Sequence, residues 1–149
     1  MKIAIGNDHS AVEMKNHIAD YVRAMGHEVV NFGTDTTASV DYPVYAVKVC
    51  KAVLSGECER GILICGTGIG ISIAANKMDG IRCAHCPESS SAELARRHND
   101  ANVVAFGART IGNVVAESIV EKFLNTEFEG GRHATRIAMF DKIERDQTL

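Results

Sequence analysis

Tryptophan is absent, aromatic residues make up only 5% of the chain, and there are just two prolines in 149 residues. So few rings argue against a stacking platform for single-stranded bases. Pro43 and Pro87 stand at turn-like points, and no internal repeat, linker or biased tract divides the chain. No apolar run approaches the ~18 residues of a membrane span. Met1–Gly6 reads as a short strand with no signal-peptide anatomy. Neither sign of charge dominates. Lys+Arg 16 against Asp+Glu 19 leaves a net charge of -3, so no nucleic-acid backbone or anionic membrane is indicated as a partner. The five cysteines are odd in number and scattered, which fits a reducing, cytoplasmic compartment rather than a disulfide framework.

What is present is ordinary for a folded domain. A hydrophobic share of 46% and a charged share of 23% exclude disorder and collagen-like composition. A chain of this length buries roughly 68–70% of its unfolded surface, so one core suffices without staples. Residues 1–149 are expected to form a single soluble domain.

Short β-branched runs alternate with amphipathic stretches. Lys2–Gly6 reads as a strand. Ser10-Ala11-Val12-Glu13 has capping-box spacing, and Ala11, Met14, Ile18 and Val22 make a helical stripe ending near Gly26. Glu28–Phe32 is a second strand. Pro43 opens a helix at its first position, with Val47, Cys50, Val53 and Leu54 on one face and Gly56 closing it. Gly61–Cys65 is a buried strand, followed by three glycines and a small-residue helix through Lys77. Ile81–Ala84 and Asn102–Phe106 read as two more strands. Glu88–Arg97 and Val114–Leu124 read as helices, the latter with Val115, Ile119 and Phe123 on one side. This alternation implies right-handed crossovers, a parallel sheet covered on both faces, and a site beyond the carboxyl ends of the strands. After Gly131 a weak apolar pattern at Ile137, Phe140 and Ile143 reads as a last helix that needs a partner surface.

The most informative stretch is Cys65-Gly66-Thr67-Gly68-Ile69-Gly70-Ile71-Ser72, at the end of the best-defined strand. Alternate glycines let the backbone turn amides inward, forming a nest for an anion or a developing oxyanion. Its G-x-G-x-G spacing is neither the dinucleotide fingerprint nor a triphosphate-binding loop. Cys65 stands beside this nest, a setting that favours the reactive thiolate. It reads equally as a small buried hydrophobe at a strand end. Asp8-His9 ends the first strand and reaches the same rim. His98-Asn99-Asp100 stands at the end of a helix, just before the fifth strand. Both histidines sit beside carboxylates, and histidine is the commonest general acid–base near neutral pH. Arg132 and Arg136 lie four residues apart after Gly130-Gly131, which suits a phosphate dianion or, equally, a solvated basic face. Arg109 is a further candidate. Cys83-Ala84-His85-Cys86 has redox-motif spacing, but Cys83 belongs inside a buried strand, and no matching pair completes a zinc site.

Taken together, Cys65 through Lys77, Asp8-His9, Asp41-Tyr42-Pro43, His98 through Asn102 and Gly130-Gly131-Arg132-His133 with Arg136 resemble the ribose-5-phosphate isomerase B family. The likeness runs along essentially the whole chain. It implies a Rossmann-like five-stranded parallel sheet of order 2-1-3-5-4, a homodimer or homotetramer with shared active sites, and no metal or organic cofactor. By this resemblance Cys65 is the base that moves a proton between C1 and C2 of a sugar phosphate, in the pentose phosphate pathway. His98 opens the furanose ring. Asp8, His9, Tyr42, Gly66, Thr67, Gly68, Ile69, Gly70 and Asn99 contact substrate, while Arg109, Arg132 and Arg136 hold phosphate and hydroxyls. The tail from about residue 130 docks on a partner subunit. Some relatives carry a glutamate base at the position of Ile71; this chain is of the cysteine type. It departs from the family at Asn7, Ser10-Ala11 and Ser90, none of which removes a catalytic group.

Three alternatives remain open. One is isomerisation of a hexose 6-phosphate such as allose or galactose 6-phosphate. The relatives acting on galactose 6-phosphate lack the Gly-Gly-Arg-His pattern. A second is a non-catalytic sugar-phosphate-binding module, which gives no reason for a thiol beside the nest. The third, metal-assisted isomerisation, needs a clustered ligand set, whereas only Asp8 and His9 are adjacent in sequence.

Overall fold

A computed structural model describes residues 1–148. Five strands, β1 (Lys2–Asn7), β2 (Glu28–Asn31), β3 (Arg60–Cys65), β4 (Cys83–His85) and β5 (Val103–Gly107), form one parallel sheet of order β2-β1-β3-β5-β4. Side chains alternate across it. Ile3, Ile5, Ile62, Ile64, Val104 and Phe106 face one apolar layer, while Ala4, Leu63, Cys65, Val103 and Ala105 face the other. The first layer is completed by α1 (Val12–Ala24), α4 (Ser89–Asn99) and α5 (Asn113–Asn125). The second is completed by α2 (Tyr42–Leu54) and α3 (Ile69–Ala75). The three-layer α/β expectation and the strand order both hold. No helix among the described residues is long and apolar enough to cross a membrane.

Two glycines set how closely α2 approaches the sheet. A Cβ at Gly6 or at Gly61 would come within 2.7 Å of a Val49 methyl. Any larger residue at either position would push α2 off β1 and β3 and open the core beneath it.

Several local expectations are corrected. The Ser10–Glu13 capping box is not made: α1 begins at Val12 with no side-chain cap. Asp8 instead caps a single 3₁₀ turn, His9–Ala11, by accepting from the Ser10 amide, because the chain must turn tightly off β1 before the helix starts. The α2 face is rotated. Ala46, Val49, Cys50 and Ala52 are buried, while Val47 and Leu54 lie exposed, since small residues are what the close helix–sheet approach admits. Pro43 sits within the first turn rather than opening the helix, which starts at Tyr42. The fourth strand is Cys83–His85, shifted toward the carboxyl end, because Asn102 takes the Arg82 amide through its side chain. Val115 is exposed, although Ile119 and Phe123 are buried as expected.

The last helix, α6 (Arg132–Asp146), does form. It leans on α4 of its own chain, and Phe140 and Ile143 stay partly exposed over a cavity of about 460 Å³ beside β4.

Candidate active site

Three loops meet at the carboxyl rim of the sheet. The loop after β3 turns inward because Gly68 adopts a left-handed conformation, φ +78°. A Cβ there would lie 2.6 Å from the Phe106 backbone, so glycine alone fits. The turn brings the Gly68 amide onto Cys65, where it donates to Sγ at 3.2 Å. Thr67 Oγ1 accepts from the Ile69 amide at 3.2 Å, and α3 then runs on. Cys65 itself is 4% exposed.

The other cysteines are different. Desolvation pushes Cys50 up to about 11 and Cys86 up to about 12, and it raises Cys58 and Cys83 as well. These four are buried free thiols that stay protonated at neutral pH. The Cys83–Cys86 pair is therefore core, as expected. His85 between them has a role that sequence reading missed: its Nε2 donates to the Thr67 carbonyl at 2.9 Å and braces the nest from below.

Arg109 follows β5, and its stem and guanidinium lie over Gly66. The Arg109 amide donates to the Gly66 carbonyl at 2.9 Å, and the Ala108 amide donates to the Cys65 carbonyl at 2.9 Å. On the other side Asp8 is buried at the end of β1. Its Oδ1 accepts from the Ser10 amide at 3.0 Å and from the Ser10 hydroxyl at 2.5 Å. His9 is half-buried, and its Nδ1 accepts from the Val40 amide at 3.2 Å. The Tyr42 ring covers Gly70, since a Cβ at that glycine would meet the ring at 2.7 Å. Cys65, the Gly66–Gly70 nest, Asp8, His9, Tyr42 and Arg109 are thus brought together.

His98, Asn99, Arg132 and Arg136 are not. α4 starts beyond the carboxyl end of β4 and returns to the amino rim, where β5 begins at Val103 level with Gly61. The turn there is fixed by Arg82 and Arg96, which both pair with Asp100, itself at φ +45°. β3 has six residues, so at ~3.3 Å per residue the two rims lie about 17 Å apart. His98 at the amino rim stacks on His133 of α6, with ring centroids 4.3 Å apart and planes 12° from parallel. Glu129 Oε2 lies 3.9 Å from His98 Nε2 and 3.6 Å from His133 Nε2. Arg97 holds the other Glu129 oxygen, and this pairing keeps the Glu129 carboxyl below its usual range. Burial and the neighbouring His98 lower His133. Arg132 and Arg136 are exposed on the first turns of α6 beside this stack. Glu129 and His133 were missed by sequence reading. His133 lay within the quoted Gly-Gly-Arg-His motif, while Glu129 gave no signal.

Comparison with known proteins converges on one kind of chemistry. Residues 3–140 match the sequence model of the ribose/galactose isomerase family. Ribose-5-phosphate isomerase B of Escherichia coli is 49% identical over 144 residues, covering 97% of each protein. D-erythrulose-4-phosphate isomerase of Pectobacterium atrosepticum is 42% identical over 148 residues, 99% of this chain and 97% of that one. The solved structure of Clostridium thermocellum ribose-5-phosphate isomerase B superposes with a TM-score of 0.97 at 53% identity, covering 99% of this chain and 100% of that one. With a match this long, over a fold this similar, the chain belongs to the ribose/galactose isomerase family.

Proposed function

We propose that this sugar-phosphate isomerase interconverts D-ribose 5-phosphate and D-ribulose 5-phosphate, as a step of the pentose phosphate pathway, with Cys65 as the base. The observation that carries the reading is the Gly68 amide aimed at Cys65 Sγ inside a glycine nest. The bond fixes the sulfur beside the nest, and a thiolate is the form of cysteine that accepts a proton.

The proton path follows from aldose–ketose chemistry. The Cys65 thiolate takes the proton from C2 of the open-chain aldose. The C2–H electron pair becomes the C1–C2 double bond, and the carbonyl π pair moves onto O1, where nest amides stabilise the charge before O1 is protonated. O2 then loses its proton as its carbonyl forms, which balances the proton that O1 gained, and Cys65 returns its proton to C1. Asp8 and Tyr42 orient the hydroxyls, and Arg109, with His9, reaches the far end. Phosphate binding there is remote binding energy used to align C1 and C2.

His98, Asn99, Arg132 and Arg136 act across an interface of a homodimer or a homotetramer, in the neighbouring chain's site. The roughly 17 Å between rims supports this reading, because a pentose phosphate cannot reach both ends of one domain. The half-exposed stripe on α6 is available for such a contact. His98 moves the proton between O1 and the ring oxygen when the furanose opens.

The His98, Glu129 and His133 donor atoms all lie within 4.8 Å of one another. The near-parallel stacking of the two rings does not suit metal binding. Imidazole lone pairs lie in the ring planes, so one ion cannot sit in both. The proposed reaction uses no metal or organic cofactor.

A panel of ribose 5-phosphate, erythrose 4-phosphate, allose 6-phosphate and galactose 6-phosphate, read by ketose formation with and without a chelator, tests the proposal. The expected result is highest kcat/KM on ribose 5-phosphate, unchanged by chelator. Preference for another sugar reassigns the substrate within the family, and loss of activity restored by a divalent ion overturns the metal-free mechanism.

A further inference from the structure

Lys15 is 1% exposed yet carries a charge, and none of the chemistry above uses it. It sits in the first turn of α1, at the carboxyl rim. Its Nζ donates to Asp35 Oδ1, which also accepts from Asn31 Nδ2 at 2.9 Å. An apolar side chain would fill the same space without the desolvation cost of an ammonium, so core stability alone does not call for lysine here.

The segment that Asp35 belongs to explains the choice. Residues 32–41 cross the rim from β2 to α2. Asn7 Nδ2 donates to the Thr34 carbonyl at 3.2 Å, and the Val40 amide donates to His9 Nδ1 at 3.2 Å. Asp41 and Tyr42 follow at once, with Tyr42 lying against Gly70. A neutral imidazole that accepts at Nδ1 carries its proton on Nε2. The loop therefore decides which His9 nitrogen is a donor.

We propose that Lys15 and Asp35 form a positioning pair that pins the 32–41 loop, so that the Val40 amide holds His9 as the Nε2–H tautomer presented to the phosphate of the sugar. The proposal rests on reading His9 as a phosphate contact of the isomerase site. Neither residue touches substrate; both act through the loop.

Lys15→Met in the full chain removes the charge while keeping the core filled. Asp35→Asn is the second variant, since Asp35 lies on the surface, and Asp35→Glu is the conservative control. Thermal melting selects folded protein. The tautomer is read by ¹⁵N–¹H correlation of the imidazoles above the histidine titration range, with His9 assigned by His9→Asn. In the wild type the His9 signal is expected to be Nε2–H. In Lys15→Met and Asp35→Asn it shifts toward a mixture, KM for ribose 5-phosphate rises about tenfold and kcat changes less than about twofold. Asp35→Glu restores both readouts. An unchanged His9 tautomer in either folded variant overturns the proposal, and so does an unchanged KM. If the wild type turns over none of the sugars, the functional assignment fails separately. The tautomer shift, together with binding of inorganic phosphate, still decides the positioning role.

Discussion

At the scale of single residues, the five cysteines divide by what surrounds each sulfur. Four are desolvated and lifted in pKa, while Cys65 receives an amide hydrogen bond at the mouth of a glycine nest. Cys65→Ala is expected to lower kcat by about a thousandfold or more while sparing binding of a non-reactive pentose phosphate analogue. Cys58→Ala is expected to leave kcat within about twofold. Parallel turnover and calorimetric titration of the two variants check this; near-normal kcat in Cys65→Ala removes the thiol from the mechanism. The buried thiols also predict an alkaline limit. Cys50 moves from an ordinary 9.0 to about 11 on folding, so the folded state keeps a proton that the unfolded state loses. Its contribution is fully present below about pH 9 and is lost as pH rises through about 11. Urea midpoints should fall across that window, and Cys50→Ala should flatten the slope. The thiol was legible in the sequence because its partners are three to five residues away. The Ser10 hydroxyl on Asp8 was not, although it is equally local, because a Ser-x-x-Glu spacing pointed to a helix cap that the turn replaces.

Elements show the same division between local and distant signals. α1 was readable because its whole stripe packs on one face of the sheet. The position of α2 was readable but part of its buried face was not, because that burial is governed by Gly6 and Gly61 on the strands, which draw Val49 inward and leave Val47 outside. The turn from β3 into α3 gives the sharpest test. Gly68 and Gly56 have nearly the same left-handed φ, +78° and +77°. A Cβ at Gly56 meets nothing within 4 Å, whereas one at Gly68 runs into the Phe106 backbone at 2.6 Å. Gly56→Ala should therefore cost about 1–2 kcal/mol for the backbone alone and keep full turnover. Gly68→Ala should cost more than that and lose activity, since the nest must move away from Cys65. Denaturant melts with kcat for each variant decide it. Equal costs would mean that the loop after β3 yields without penalty.

For the whole molecule, the sheet order was legible only through family resemblance, because alternation alone fixes parallel crossovers and not which strands are neighbours. The separation of the candidate groups onto two rims was legible in part, from His98 standing just before β5 and from the shared sites that the resemblance implies, whereas the joining of Glu129 to His98 and His133 was not. The separation supports an assembly in which each site draws on two chains. Cys65→Ala mixed with Arg132→Ala/Arg136→Ala under subunit exchange should recover activity toward half per dimer, because one site of a mixed pair then holds both lesions and the other none. Exchange confirmed by mass without recovery would place thiol and arginines in one chain. The placement of His98 with Arg132 at the rim away from Cys65 also carries a kinetic meaning. In the shared-site arrangement proposed above, a polypeptide diffusing alone would own two halves of different sites and complete neither. Below the dissociation constant of the assembly, initial rate should then grow as the square of protein concentration, and above it linearly, so the bend in a dilution series would report the strength of the contact.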